Sequence, residues 1–154
     1  MDLNKKVGRT SLFNLCLVGL ALIMGILFLF MYLGEFYFLE GAMVHAGSSG
    51  NNLIFREDPV VGLLFAWIFA LMFVIILVTL IAVNFVKSFE LPKYAIPVCL
   101  AFAGLLLLVS GILAFCTRSL IGGGSVGLAA IFAGIFGIVG FASTGLAAFF
   151  IYKD

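Results

Sequence analysis

Side chains able to do chemistry are few in this chain, and they fall into three groups. The first lies in Gly34–Asp58, GEFYFLEGAMVHAGSSGNNLIFRED, which gathers Glu35, Glu40, His45, Arg56, Glu57 and Asp58. Carboxylates and an imidazole are groups that bind zinc or move protons in acid–base catalysis. Their spacing here repeats no metal-ligand signature, so no metal is expected. His45 is the sole histidine. No motif ties a nucleophile to it, so no catalytic residue is assigned.

The second group is a run of glycines. Within IGGGSVG, Gly122, Gly124 and Gly127 fall at the G-x-G-x-x-G spacing that cradles a dinucleotide pyrophosphate. That use requires a β-strand before the glycines, a helix after them and an acidic residue about 20 positions on. Here the glycines follow a long apolar run, and the next acidic residue is Asp154. The Gly-Lys-Ser/Thr ending of a phosphate loop is also missing. Neither a nucleotide nor any other cofactor is expected.

The third group is polar residues inside apolar runs: Asn14, Thr79, Asn84 and Ser110. Ionisable residues within a bilayer mark ion or proton paths, and no run carries one at depth. This argues against a proton-coupled transporter and against haem ligation. Neutral groups such as these cap helices, bond to backbone or join neighbouring helices. Converging on one wet face, they would line a vestibule or an oligomeric pore. Cys16, Cys99 and Cys116 lie far apart with no C-x-x-C pairing, and are expected to be small buried hydrophobes.

These residues sit in a chain of 154 residues that is 65% hydrophobic and 10% charged. A soluble domain is about a quarter charged, so the solvent here must be lipid. The net charge of +1 offers no basic field for nucleic acid. Four runs have the ~20 apolar residues needed to cross ~30 Å of hydrocarbon as a helix. They cover residues 11–33, 59–86, 94–116 and 124–152, with 34–58 left as the one sizeable extramembrane loop. The first run is longer than the ~7–15 residues of a signal h-region and has no clear cleavage site after it, so it reads as a retained anchor.

Short links make sequential helices antiparallel neighbours, which predicts an all-α, up-down-up-down bundle of four membrane helices. Lys5, Lys6, Arg9, Lys87, Lys93 and Lys153 flank one side of the membrane, and only Arg56 and Arg118 flank the other. The positive-inside rule therefore puts both termini in the cytoplasm, with the cell membrane favoured. Pro92 and Pro97 bracket the start of the third span, as a stiff first turn or a bend. Trp67 reads as an anchor or packing residue near the outer interface. In the outer loop, Phe36, Tyr37 and Phe38 stand where an aromatic belt would sit. A small hairpin joining AMVHA to LIFRE across GSSGNN is the expectation, with a first helix extended to Leu39 as the alternative.

The fourth span is sorted by size. At ~3.6 residues per turn, one face collects Gly123, Gly127, Ala130, Ala133, Gly134, Gly137, Gly140, Thr144, Ala147 and Ala148. The opposite face collects Leu128, Ile131, Phe132, Ile135, Phe136, Ile138, Val139, Leu146, Phe149 and Phe150. In lipid, close backbone approach between small residues supplies the packing that polarity cannot. Gly123, Gly127, Ala130, Gly134, Gly137, Gly140 and Thr144 are therefore the candidate helix-packing interface. Gly19 and Gly25 in the first span, and Gly104 and Gly111 in the third, are candidate facing positions. The packing partner is either the same bundle or a helix of another chain.

The layout, with cytoplasmic termini, a larger first outer loop and a short second one, is similar to that of claudin-like tetraspan proteins. The outer loop lacks the tryptophan and paired cysteines of that family, so the resemblance carries over no residue roles and no function. The leading expectation is a non-enzymatic tetraspan protein acting by helix packing in the lipid bilayer, as an accessory subunit, assembly factor or self-associating protein. A small channel or transporter with an oligomeric pore is the alternative. A membrane enzyme or an outer-loop metal site comes third.

Overall fold

The computed structural model describes residues 6–7, 10–40, 45–55, 60–85, 94–116 and 125–153. Four of its helices are long and apolar enough to cross a membrane, and together they form a four-helix membrane bundle. In chain order these are α1 (Leu12–Met31), α3 (Val61–Phe85), α4 (Ala95–Phe115) and α5 (Leu128–Lys153). Their apolar windows have mean hydropathies between 1.9 and 3.0. The shortest, at 20 residues, reaches about 30 Å at ~1.5 Å per residue, the thickness of the hydrocarbon core.

Contacts between helix ends fix the directions. Tyr32, just past the end of α1, donates its hydroxyl proton to the carbonyl of Leu63 in the first turn of α3, at 2.8 Å. Phe13 at the start of α1 meets Phe150 near the end of α5, with ring centroids 5.6 Å apart. Tyr94 at the start of α4 meets Tyr152 near the end of α5 at the same separation. Each pair joins the beginning of one helix to the end of another, so neighbours run antiparallel. Around the bundle, α4 packs most extensively on α5, α5 next on α1 and α3 on α4, while α1 and α3 meet least.

One end of the bundle carries a small sheet. Strands β3 (Glu35–Glu40), β4 (His45–Ser49) and β5 (Ser125–Val126) lie in the order β4-β3-β5, and both pairings are antiparallel. A separate two-residue pairing of β1 (Lys6–Val7) with β2 (Thr10–Ser11) precedes α1 at the opposite end.

The expected hairpin is present but built from other residues. The pairing runs from Glu40 opposite His45 to Glu35 opposite Ser49, with a bulge between Glu35 and Tyr37. GSSGNN is therefore not its turn, because its serines belong to β4. Leu53 and Ile54 belong to the short helix α2 (Gly50–Ile54) and not to a strand. The physical reason is burial: as a single helical turn both side chains reach the core, 2% and 3% exposed. The helix is joined to the next element by a hydrogen bond from the Val60 amide to the Leu53 carbonyl. The aromatic run Phe36–Phe38, read as a membrane belt, is strand, as aromatic residues favour.

The first helix does not run on to Leu39. It tightens through i→i−3 bonds from Tyr32, Leu33 and Gly34 and then stops. The fourth helix begins at Leu128, later than the sequence suggests, because Ser125 and Val126 pair with β3 across the end of the bundle.

Candidate functional site

The small-residue face of α5 lies in the interior. Ala130, Ala133, Gly134, Gly137, Gly140, Thr144, Ala147 and Ala148 are all buried. The large residues of the opposite face point outward, with Leu128 66% and Phe149 58% exposed. Phe136 and Phe150 are half-buried. Gly127 is buried just ahead of the helix, and its carbonyl accepts the Ile131 amide. Gly122, Gly123 and Gly124 lie outside the described residues. Of the dinucleotide-like spacing only Gly127 is described, and an antiparallel strand sits between it and Gly124.

The closest approach is between α5 and α4. A Cβ built on Gly137 would fall 2.8 Å from the Cα of Gly111 and 3.1 Å from the Leu107 carbonyl oxygen. Both neighbours are backbone, so nothing there can turn aside. One turn on, Gly140 lies under the Leu107 side chain and against Met24 of α1. Further along, a Cβ on Gly104 would meet the Thr144 hydroxyl at 2.5 Å. At the other end Gly134 faces the ring of Phe115, also at 2.5 Å. Glycine costs roughly 1 kcal/mol of helix propensity against alanine. A row of glycines that admits a neighbouring backbone recovers this in packing.

Of the four proposed facing glycines, Gly104 and Gly111 meet α5. Gly25 instead receives Phe73 of α3, whose ring would lie 2.6 Å from an added Cβ. Gly19 has nothing within 4 Å.

The polar residues of the spans do not gather at one place. Ser110 is fully buried, and its hydroxyl lies 2.9 Å from both the Ala66 carbonyl of α3 and its own Leu106 carbonyl. Thr144 is likewise buried, with the carbonyls of Gly140 and Phe141 each at 2.9 Å. Thr79 donates to the Ile75 carbonyl on the exposed side of α3. Asn14 and Asn84 are buried at the end away from the sheet. Asn84 borders a small cleft otherwise lined by apolar residues, among them Leu15, Leu80 and Ile151. Pro97 is buried in the first turn of α4, where a missing amide proton costs nothing.

Two buried polar residues have no counterpart in the sequence reading. Ser143 sits beside Thr144 on the inner face. Tyr32 is completely buried and holds the ends of α1 and α3 together. A tyrosine at the end of a span has the signature of an interfacial anchor, and only its partner reveals the difference. The cysteines require a correction: Cys16, Cys99 and Cys116 are all exposed. In a bilayer the apolar exterior accommodates a thiol as readily as the interior, so an apolar setting does not imply burial. Trp67 is half-buried, with Phe55 edge-on to it at 5.4 Å.

In the segment between the first two spans, backbone pairing puts Glu40 opposite His45, while Glu35 lies at the far end of the same strand. Arg56, Glu57 and Asp58 lie outside the described residues, as do Pro92 and most of the flanking cations. The chain matches no protein family, no curated protein and no solved structure.

Proposed function

We propose that this membrane protein is a non-enzymatic tetraspan that acts by packing, as an accessory or structural subunit, assembly factor or self-associating protein. The carrying observation is the use made of the interior. The α4–α5 seam closes to backbone contact at Gly111 and Gly137, and the hydroxyls of Ser110 and Thr144 are bonded to helix carbonyls. Such an interior holds four helices to one another. A partner then meets the outside, which offers large apolar side chains along the spans and the sheet at one end. The lysine and arginine asymmetry favours cytoplasmic termini, and so an extracytoplasmic sheet.

Purification of the full chain in nanodiscs, with mass measurement and identification of co-purifying chains, tests this reading. A defined hetero-complex or a stable homo-oligomer is the expected result. A lone monomer overturns it. A homo-oligomer that conducts ions in vesicles moves the function to an oligomeric pore.

A further inference from the structure

Where α1 and α3 part, they leave a groove of about 360 Å³, bounded by Ile26, Leu29, Phe30, Leu33, Phe55 and Trp67. We propose that this groove is an acyl-chain site, holding one hydrocarbon chain of a bilayer lipid from the leaflet on the sheet side.

The groove follows from how the two helices meet. Near mid-span, Gly25 admits the Phe73 ring, and α1 and α3 are in contact. At the sheet end, the Tyr32–Leu63 hydrogen bond ties them again. Between these points the groove is lined by large side chains, Ile26, Leu29 and Phe30 from α1 and Trp67 from α3. Phe55, edge-on to Trp67, stands at the sheet end of the opening.

The occupant follows from what the groove opens onto. Phe30, Leu33 and Phe55 are 58%, 66% and 64% exposed, continuous with the apolar exterior that the spans present to lipid. No lining side chain is charged, and only the Trp67 indole carries an N–H. A gap bounded by such surfaces and left empty would forfeit dispersion contacts on every wall, whereas neighbouring hydrocarbon restores them. The volume lies at the low end of the ~300–1,000 Å³ of small-molecule sites. It has room for part of one slender hydrocarbon chain.

Trp67 is the only tryptophan in the chain, so its emission reports on the groove alone. The full chain in detergent is titrated with phosphatidylcholine whose acyl chains carry bromine, a contact quencher. The expected curve is saturable, with a plateau near one lipid per chain that is unchanged when detergent is doubled. Ile26→Phe, which puts a ring into the groove, abolishes the saturable component while elution and helical content match the parent. Quenching that only tracks the lipid-to-detergent ratio, without a plateau, overturns the proposal; this holds for the parent protein alone, whether or not the variant folds. Emission that changes with protein concentration in the absence of lipid also overturns it, and assigns the groove to a second copy.

Discussion

Along the α4–α5 boundary two helices meet glycine to glycine, and the Cβ that Gly137 lacks would fall 2.8 Å from a neighbouring Cα. Along the α1–α3 boundary a single glycine receives a phenylalanine ring, and between it and the Tyr32–Leu63 hydrogen bond lies a groove lined by Phe30 and Trp67. Apart from the Thr144 hydroxyl beside Gly104 at the first and the Tyr32 hydroxyl bonded to Leu63 at the second, both boundaries are apolar, so hydrophobicity cannot account for the difference. Lipid tails solvate leucine and phenylalanine about as well as another helix does, and apolar area gained by association counts for little. Fit is what remains. Side chains that end at Cα or Cβ let backbones approach, and bulky ones stop the approach and leave a space for lipid.

The largest effect on this contrast is expected from Gly137→Ala. The new methyl meets only backbone, so α4 and α5 must separate, at a cost of about 1–3 kcal/mol for overpacking. Unfolding of the reconstituted protein by a denaturing detergent measures this. A variant as stable as the parent would show that the seam is not tight.

Ser110→Ala comes next. It removes the hydroxyl that joins α4 to the Ala66 carbonyl of α3, worth about 0.6 and at most about 1.7 kcal/mol between membrane helices. The same unfolding assay reads it, and the loss should fall on the α3–α4 contact, seen as faster deuterium exchange in those helices.

Gly134→Ala sharpens the comparison because it sits on the same face as Gly137. Its methyl meets the far edge of the Phe115 ring, and Phe115 is 37% exposed at the end of its helix. The ring can swing toward lipid, so the loss should stay within about 0.5 kcal/mol. A loss equal to that of Gly137→Ala would mean that residue size alone, and not the neighbour's freedom to move, sets the cost. The smallest effect belongs to Gly19→Ala. With nothing within 4 Å, it should cause no destabilisation and gain up to about 1 kcal/mol of helix propensity. Destabilisation by Gly19→Ala would reveal an unseen neighbour at that position.

Much of this organisation is legible in the sequence, for a physical reason. Backbone groups in hydrocarbon must be satisfied within the segment, so a long apolar run has little choice but helix. The size sorting of the fourth span is equally plain, since ~3.6 residues per turn converts spacing directly into a face. A periodicity names the face but not what meets it. Hence Gly25 was expected opposite small residues and instead receives Phe73, and Gly19 meets nothing. The exposed cysteines were illegible because lipid-facing and core positions share one chemistry. The sheet was harder still. EFYFLE reads as well as an aromatic belt as it does as a strand, and pairing of Tyr37 with Val126 joins residues that nothing local connects.

That last pairing has a consequence for biogenesis. β3 follows the first span and is synthesised early, whereas its partner β5 reaches the same side only after the third span has been threaded. The central strand of the sheet therefore keeps one edge open through most of synthesis. Its closure is possible only when every preceding segment has entered the membrane in the right sense, which makes the finished sheet a record of correct insertion.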